Sequence, residues 1–347
     1  MENVIVTGGC GFIGSNFIRL LLKETRYNII CVDSLTYAGN KKNVPFLTNH
    51  KRLIFRNYDI CDVGNMLKCI DTYNPKYLIN FAAESHVDRS IDSAKAFIET
   101  NINGTFNLLE LCRKQNIKDF KFIHVSTDEV YGSIEHPDSF TEESPFKPNS
   151  PYAASKASSD LLCRSYYKTY GFPVIITNCS NNYGAYQHPE KFIPTIISKC
   201  MNDEPIPIYG DGLNVRDWIY VDDHCRAVLS VMEKGVIGET YNIGASTTKT
   251  NIEIVETITD IFKGKTNKKY ELEYVTDRLG HDQRYAINST KIMNTLNWKP
   301  QIDFNMGIQL TIKWYQDNKK WYQHIIDRKK FKAERLGLQG QSNERRR

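Results

Sequence analysis

Residues 4–22 read VIVTGGCGFIGSNFIRLLL, an apolar run that passes through a glycine-rich turn into an amphipathic stretch. The glycines fit the spacing G-x-G-x-x-G as Gly9, Gly11 and Gly14, or G-x-x-G-x-x-G when Gly8 replaces Gly9. Glycine lets the strand turn tightly and lets the backbone approach a pyrophosphate, towards which the following helix directs its amide groups. The stretch therefore predicts a strand–turn–helix unit that binds a dinucleotide.

A carboxylate stands at the end of the next apolar run, IICVD. Asp33 follows Gly14 by 19 residues, a position from which it can accept both ribose hydroxyls of NAD and repel a 2′-phosphate. The residues after it, SLTYAGN, include no arginine. NAD is therefore favoured over NADP, and a glycine turn of purely structural use is the weaker alternative.

Short apolar runs alternate with amphipathic stretches through the first half of the chain. The runs are residues 4–8, 29–33, 53–60, 77–83, 121–127 and 174–179, with a last one at 239–244. Such alternation is typical of a parallel sheet covered by helices on both faces. The fold class predicted is α/β, with a Rossmann-type doubly wound parallel sheet and an interleaved smaller α/β substrate-binding domain.

The domain boundaries follow from a change of pattern after residue 180, where Pro, Gly, Tyr and Asn become frequent and periodicity weakens. We predict an NAD-binding domain of residues 1–180 plus 222–246. Residues 181–221 plus 247–327 would form the second, substrate-binding domain. Residues 328–347 are predicted to be a poorly ordered basic tail.

Composition excludes several classes of function. The net charge of the 347-residue chain is +5, but residues 328–347 alone carry eight Lys/Arg and two Asp/Glu, which leaves −1 on the body and no nucleic-acid-binding face. No apolar run approaches the ~20 residues of a membrane helix. The nine cysteines are scattered without C-x-x-C spacing, which predicts reduced thiols, a cytoplasmic protein and no metal site.

Two further patterns carry chemistry. Tyr152 and Lys156 are spaced to share a helix face, where an ammonium group lowers the pKa of a phenol towards that of a general base. Asp128 and Glu129 stand side by side in HVSTDEVYG, where an apolar run stops. Neighbouring side chains of a strand point to opposite faces, so this pair can serve one ligand only if the backbone turns there. The alternative for Tyr152 and Lys156 is a solvated helix face, and the alternative for Asp128 and Glu129 is a polar loop after a buried strand.

The chain resembles the nucleotide-sugar branch of the extended short-chain dehydrogenase/reductase family, and within it the dTDP-glucose 4,6-dehydratases. The resemblance extends from Met1 to about residue 320 and is carried in order by GGCGFIG, DSLTYAGN, FAAESHVDRS, STDEVYG, YAASK, NCSNNYG, PEKFIP, GDGLNVRDW and DRLGHDQRYAI. Epimerases of this family lack the acidic pair, and related decarboxylases and GDP-mannose dehydratases typically have Ser where this chain has Asp128. The pair after Thr127 therefore points to glucose dehydration.

The resemblance implies conversion of dTDP-glucose to dTDP-4-keto-6-deoxyglucose, an early step of deoxysugar biosynthesis such as that of rhamnose. Tyr152, supported by Lys156 and Thr127, would take the C4 hydroxyl proton while hydride passes to NAD. Glu129 would remove the C5 proton and Asp128 would protonate the departing C6 hydroxyl, before hydride returns to C6. NAD would then be regenerated in each turnover and stay tightly bound. Asp128 should be protonated more readily than a free Asp.

Binding residues are also implied by the resemblance. Those for the cofactor are Gly8, Gly11, Phe12, Ile13, Gly14, Asp33, Ser34, Leu35, Thr36, Asp59, Ile60, Phe81, Ala82, Ala83, Thr100, Tyr152, Lys156 and Asn182. Those for the substrate are Ser85, Thr127, Asn181, Lys191, Phe192, Pro207, Ile208, Tyr209, Arg216, Asn251, Asp277, Arg278 and His281. Arg216 and Lys191 suit a sugar diphosphate, Arg216 through two parallel hydrogen bonds, and Tyr209 offers a flat face to a pyrimidine.

Three alternatives stay open from the sequence. They are the same reaction on UDP-glucose, a nucleotide-sugar 4-epimerase and a catalytically silent NAD-binding scaffold. Thymine and uracil differ by one methyl group, worth only ~1 kcal/mol. The amphipathic stretches at about residues 96–116 and 152–170 match helices that pair across a dimer interface in the family, which implies a homodimer.

Overall fold

A computed structural model describes residues 1–46, 49–266 and 269–327; the predicted basic tail, residues 328–347, lies outside the described residues. The strands are β1 (Asn3–Thr7), β2 (Asn28–Val32), β3 (Leu53–Arg56), β4 (Tyr77–Asn80), β5 (Lys121–Thr127), β6 (Val174–Cys179), β7 (Asn181–Tyr183), β8 (Ile206–Tyr209), β9 (Val215–Tyr220), β10 (Thr240–Ile243), β11 (Thr248–Thr250) and β12 (Leu272–Val275).

The helices begin and end close to the amphipathic stretches of the sequence. They are α1 (Phe12–Glu24), α2 (Val63–Tyr73), α3 (Val87–Asp92), α4 (Lys95–Phe97), α5 (Thr105–Gln115), α6 (Pro151–Tyr170), α7 (Phe192–Asn202), α8 (Val221–Lys234), α9 (Asn251–Thr266), α10 (Thr290–Leu296), α11 (Phe304–Asp317) and α12 (Lys319–Ile326). A π-helical segment, Ile98–Gly104, joins α4 to α5, and 3₁₀ turns span Lys41–Asn43 and Asp128–Tyr131.

Seven strands form one sheet in the order β10-β6-β5-β4-β1-β2-β3, with every neighbouring pair parallel. Their β-branched and apolar side chains are buried on both faces, as parallel sheets require. The strand order reverses between β1 and β4, which opens a crevice at their carboxyl ends where ligands bind in such sheets. The predicted doubly wound sheet is confirmed.

The two faces of the sheet are covered by different helices, which explains their apolar stripes. On one face Phe17 of α1 and Val228 of α8 are fully buried with Val6 of β1. On the other face Leu108 of α5 and Cys163 of α6 are buried in a second cluster that also contains residues of α2. Each helix therefore contributes one apolar stripe to a core, the arrangement expected when helices sandwich a sheet.

A smaller α/β region follows β6, built on the three-stranded sheet β11-β9-β7 and the two-stranded sheet β12-β8. Its core contains apolar side chains from α7, α9, α11 and α12. Between its parts the chain returns to the large sheet through α8 and β10. An interleaved second α/β region is thus present, while the residue boundaries of the two domains stay a prediction.

None of the helices that the described residues form is both long and apolar enough to cross a membrane. Over the same ranges, no group of three or more His, Cys, Asp or Glu side chains is arranged to hold a metal ion.

Candidate active site

A large cavity lies at the carboxyl edge of the seven-stranded sheet. Segments that directly follow β1, β4 and β6 contribute Gly8, Phe81 and Asn181 to its lining, and Thr127 ends β5 there. Parallel strands bring all their carboxyl ends to one edge, so motifs that lie far apart in the sequence meet in one place. The cavity therefore combines the glycine turn with the segment that carries the acidic pair.

The glycine turn forms a close-packed cradle. Gly8 has a φ of +65°, and a Cβ there would lie 2.7 Å from the amide nitrogen of Ala82. A Cβ on Gly14 would clash with the carbonyl oxygen of Gly8. Helix α1 begins directly after Gly11, which has no side chain to accept hydrogen bonds from the first amides of the helix. The first amides of α1 and the positive end of its dipole can therefore face a pyrophosphate, as a dinucleotide requires.

Asp33 is held rigidly at the rim of this cradle. Its Oδ2 accepts a hydrogen bond from the Cys10 amide at 2.8 Å, and its Oδ1 accepts one from the Leu35 amide at 2.7 Å. The carboxylate is 8% exposed and lines the cavity. These two backbone amides fix the orientation of the carboxylate. A carboxylate at this position accepts hydrogen bonds from ribose hydroxyls and repels a 2′-phosphate, so the site fits an unphosphorylated ribose, as in NAD.

The structure brings together nearly all of the residues implied for the cofactor. Those in the cavity lining are Gly8, Gly11, Phe12, Ile13, Gly14, Asp33, Ser34, Thr36, Asp59, Ile60, Phe81, Ala82, Ala83, Thr100, Tyr152, Lys156 and Asn182. Leu35 is absent from this lining. Its side chain packs against the core, and at a φ of +54° its backbone orients Asp33. We interpret Leu35 as a support for the carboxylate.

The side-by-side carboxylates are explained by a change of backbone direction. Strand β5 ends at Thr127, and Asp128–Tyr131 form a 3₁₀ turn. Thr127 Oγ1 accepts a hydrogen bond from the Glu129 amide at 3.3 Å and donates one to Asp128 Oδ1 at 3.2 Å. This hydroxyl therefore caps the turn and holds one carboxyl group. Glu129 lines the cavity, whereas Asp128 is buried just behind the lining.

The two carboxyl groups have different electrostatic surroundings. Burial raises the pKa of Asp128 well above its ordinary value, and the negative charges of Glu129 and Asp217 raise it further. Within the described residues, Asp128 Oδ2 has no hydrogen-bond partner. Burial also raises the pKa of Glu129, but the positive charges of Arg278 and Arg216 oppose that rise. The predicted ease of protonation of Asp128 is confirmed, and Glu129 is the carboxyl group better suited to ionise.

Tyr152 and Lys156 share a face of α6, but the predicted effect on the pKa is wrong. Burial raises the pKa of Tyr152 well above its ordinary value, and the charge of Glu129 raises it further, against a hydrogen bond with Thr127. Lys156 Nζ donates to the Val125 carbonyl oxygen at 2.9 Å. Burial also lowers the pKa of Lys156. The side chains of the protein therefore hold Tyr152 as a neutral phenol.

Part of the implied substrate site adjoins the same cavity. Ser85, Thr127, Asn181 and Lys191 line it. Lys191 is held by a hydrogen bond from Nζ to the Ser85 carbonyl oxygen at 2.8 Å. Burial lowers the pKa of Lys191, while the charges of Glu190 and Glu129 raise it. A buried ammonium with such neighbours is placed to accept a negatively charged group of a ligand.

Arg216 lies outside the cavity lining and is 4% exposed. Both terminal nitrogens donate to backbone carbonyls, Nη2 to Asp282 at 2.7 Å and Nη1 to Val215 at 2.7 Å. Its guanidinium stacks on the ring of Tyr285, 4.2 Å from the centroid. The predicted pair of parallel hydrogen bonds to a diphosphate would therefore require Arg216 to exchange these partners.

The other implied substrate residues surround Asp88 or lie deeper in the smaller α/β region. Tyr209 donates to Asp88 Oδ2 at 3.2 Å, and Arg278 Nη1 lies 3.8 Å from Asp88 Oδ1. Outside the cavity lining are Phe192, Pro207, Ile208, Tyr209, Asn251, Asp277, Arg278 and His281. His281 Nδ1 lies 2.6 Å from Asp277 Oδ1. Ile208 is fully buried in the core of the smaller α/β region, so it is not accessible to a ligand in this structure.

Several cavity residues were missed from the sequence. Polar or charged ones are Tyr37, Asn43, Glu84, Gln187, His188 and Glu190, and aromatic or apolar ones include Tyr58, Tyr186, Trp321 and Ile325. The last two could have been noticed, because Trp321 and Ile325 recur at the four-residue spacing of one helix face. The others stand in loops, where no periodicity marks them.

A dinucleotide cradle, a Tyr-x-x-x-Lys pair and an acid–base pair at one sheet edge define an enzyme of the extended short-chain dehydrogenase/reductase class. The family model described as GDP-mannose 4,6 dehydratase matches residues 5–311. The dTDP-glucose 4,6-dehydratase of Neisseria meningitidis serogroup B is 46% identical over 97% of this chain and 99% of its own length. The chain belongs to this family, and within it to the dTDP-glucose 4,6-dehydratases.

Solved structures of such enzymes are similar throughout. DesIV, a dTDP-glucose 4,6-dehydratase from Streptomyces venezuelae crystallised with NAD, has a TM-score of 0.88 and 44% identity over 93% of this chain and 100% of that chain. A dTDP-glucose 4,6-dehydratase from Bacillus anthracis in complex with NAD has a TM-score of 0.86 and 45% identity, and covers 94% and 100%.

Proposed function

We propose that this protein dehydrates dTDP-glucose to dTDP-4-keto-6-deoxyglucose, with a tightly bound NAD that is regenerated in each turnover. The observation that carries the proposal is the pair of adjacent carboxyl groups in contrasting environments, Asp128 buried with an unpartnered oxygen among the described residues and Glu129 in the cavity facing cationic neighbours. Elimination of water needs an acid and a base on the same sugar.

Roles for the side chains follow from their positions. When bound, NAD would supply the hydride acceptor and donor and a cationic nicotinamide that favours the phenolate form of Tyr152. Tyr152 accepts the proton of the C4 hydroxyl, with Lys156 and Thr127 in support. Once C4 is a ketone, the C5 proton becomes acidic and Glu129 removes it. Asp128 donates its proton to the C6 hydroxyl, which leaves as water, and Glu129 returns a proton to C5 when hydride is delivered to C6.

The test is the mass of the product formed by purified protein without added NAD. The protein is mixed with dTDP-glucose and with UDP-glucose in separate tubes. Loss of one water from the thymidine sugar, at the higher rate, supports the proposal. Faster loss of water from UDP-glucose would show that the enzyme prefers uracil to thymine. Unchanged mass in both tubes would contradict dehydration of these sugars and leave epimerisation or a silent scaffold.

The pH dependence of product formation is expected to report Asp128. Because this group must be protonated to act as an acid, the rate should fall as pH rises through its raised pKa. In Asp128→Asn the rate should be about 100-fold lower and this alkaline limb should vanish. Rates measured across pH test this. Asp138→Asn, at an exposed position, serves as the control, and an unchanged limb in Asp128→Asn would contradict the role.

A homodimer formed through α5 and α6 is part of the proposal. Large apolar side chains are exposed on α5, on α6 and on the π-helical segment before α5, with Phe106 at 43%, Leu161 at 55% and Ile98 at 49%. Pairing of these helices with those of another copy would remove such side chains from water. All nine cysteines carry free thiols, which supports the proposed cytoplasmic location.

Leu161→Asp is expected to convert the dimer to a monomer, because an unpaired carboxylate would be buried at the interface. Sedimentation velocity measures the change. Leu213→Asp is the matched control, since Leu213 is equally exposed at 55% but lies between β8 and β9. A dimer that persists in Leu161→Asp, or a monomeric wild-type protein, would contradict this interface.

A further inference from the structure

Helix α12, the last helix among the described residues, reaches the cofactor cavity. Trp321 and Ile325 line the same cavity as Gly11 and Asp33, and their exposures are only 8% and 2%. Both side chains lie on one face of α12, four residues apart. They also lie beyond residues 5–311, which the family model matches. Helix α12 thus supplies part of the cavity wall, although it lies far from the glycine turn in the sequence.

A hydrogen-bond chain ties this helix to the glycine turn. Trp321 Nε1 donates to Asn43 Oδ1 at 2.8 Å, and Asn43 Nδ2 donates to the Cys10 carbonyl oxygen at 2.8 Å. Asn43 is 2% exposed, and its own carbonyl accepts a hydrogen bond from Arg19 of α1. A buried indole N–H requires such a partner. The orientation of Trp321 is therefore fixed relative to the cradle.

Aromatic packing secures the other side of the helix. The ring of Trp321 lies 5.8 Å from Tyr186 and 4.9 Å from Trp314, in edge-on arrangements. Tyr186 itself lines the cavity, and the Arg19 guanidinium lies 3.7 Å from its ring centroid. Helix α12 therefore contacts the loop after β7 through Tyr186 and is linked to the glycine turn through Asn43.

We propose that Trp321 and Ile325 form a wall of the NAD cavity and control how long NAD stays bound. The inference rests on the proposed function, which requires the cofactor to persist through many turnovers. A cofactor that is restored in each cycle gains nothing from rapid release. Removal of a rigid apolar wall acts mainly on the dissociation rate of a bound ligand.

The experiment measures NAD content and exchange in the full-length protein. Bound NAD is quantified after gel filtration, and its release is followed by exchange against isotope-labelled NAD. Trp321→Ala is expected to raise the release rate about tenfold, a change of about 1.4 kcal/mol. Trp321→Phe, which keeps a ring but loses the hydrogen bond to Asn43, should give an intermediate rate. If Trp321→Ala does not fold, the NAD release rate of Trp321→Phe tests the proposal in its place.

The matched control is Tyr322→Ala. Tyr322 follows Trp321 on α12, but its hydroxyl pairs with Ser198 and it does not line the cavity. Wild-type exchange in this control supports the inference. Wild-type exchange in both Trp321 variants would overturn it, and so would an equal acceleration in Tyr322→Ala, which would indicate loosened docking of the helix. A wild-type protein that holds no NAD would contradict the proposed function instead.

Discussion

Replacement of Tyr152 with Phe is expected to lower the rate of product formation about 10³-fold, as loss of a positioned acid–base group does. The substitution removes only the phenolic oxygen, which in its phenolate form is the proposed acceptor of the C4 proton. The ring stays packed edge-on against Phe97 at 6.3 Å, so the fold should be retained. Product formation is measured by mass, and bound NAD by its content in the purified protein.

The control for this prediction lies on the same helix. Tyr170 is 54% exposed, so Tyr170→Phe should retain the wild-type rate. Because oxidation at C4 is the first step of the proposed mechanism, Tyr152→Phe should slow the reduction of bound NAD by substrate as much as it slows product formation, about 10³-fold. Rapid NAD reduction by Tyr152→Phe would contradict the assignment of the general base.

The Tyr152–Lys156 pair illustrates what spacing can and cannot predict. Four-residue spacing on a helix fixes which face two side chains share, and α6 places them so. A pKa depends instead on burial and on charges brought near by other elements. Glu129 lies in the turn after β5, and its charge raises the pKa of Tyr152. The position of Glu129 beside Tyr152 and the burial of Tyr152 both depend on how the whole domain packs.

The sheet was predictable because burial on both faces leaves continuous apolar runs in the sequence. The observed β5 and β6 have the predicted bounds, whereas β3 and β4 end earlier than predicted, at Arg56 and Asn80. The residues after Asn80 stay apolar because they line the cavity. Ligand-facing backbone and strand backbone therefore have similar sequences, and only the structure separates them.

The helix predicted at about residues 96–116 contains a feature without a sequence pattern. Its first part is π-helical, and Asn101 within it accepts a hydrogen bond from the Glu84 amide at 2.9 Å and donates one to Ser155 Oγ at 2.8 Å. Such widened turns are frequent at functional sites. Hydrogen bonds from two distant segments stabilise this one, so local propensity could not indicate it.

Glu129→Gln is expected to abolish product formation, with a loss of at least about 10³-fold, because a carboxamide cannot remove the C5 proton. In the proposed mechanism, oxidation at C4 uses Tyr152 and does not need this carboxylate. Addition of substrate should therefore still reduce some of the bound NAD, in contrast with Tyr152→Phe. The shape of the side chain is kept, so the 3₁₀ turn and its cap by Thr127 should persist. Product mass and cofactor absorbance are the two measurements.

The cationic neighbours of Glu129 favour its ionised form, which a glutamine side chain cannot adopt. Arg278, Arg216 and Lys191 lower the pKa of this carboxyl group against the effect of burial, and their attraction is lost when the charge is removed. Glu143→Gln, at an exposed position, should retain the wild-type rate. Incubation in heavy water adds a further test, since Glu129→Gln should leave the C5 hydrogen unexchanged. Normal dehydration, or normal exchange at C5, in Glu129→Gln would show that another group is the base.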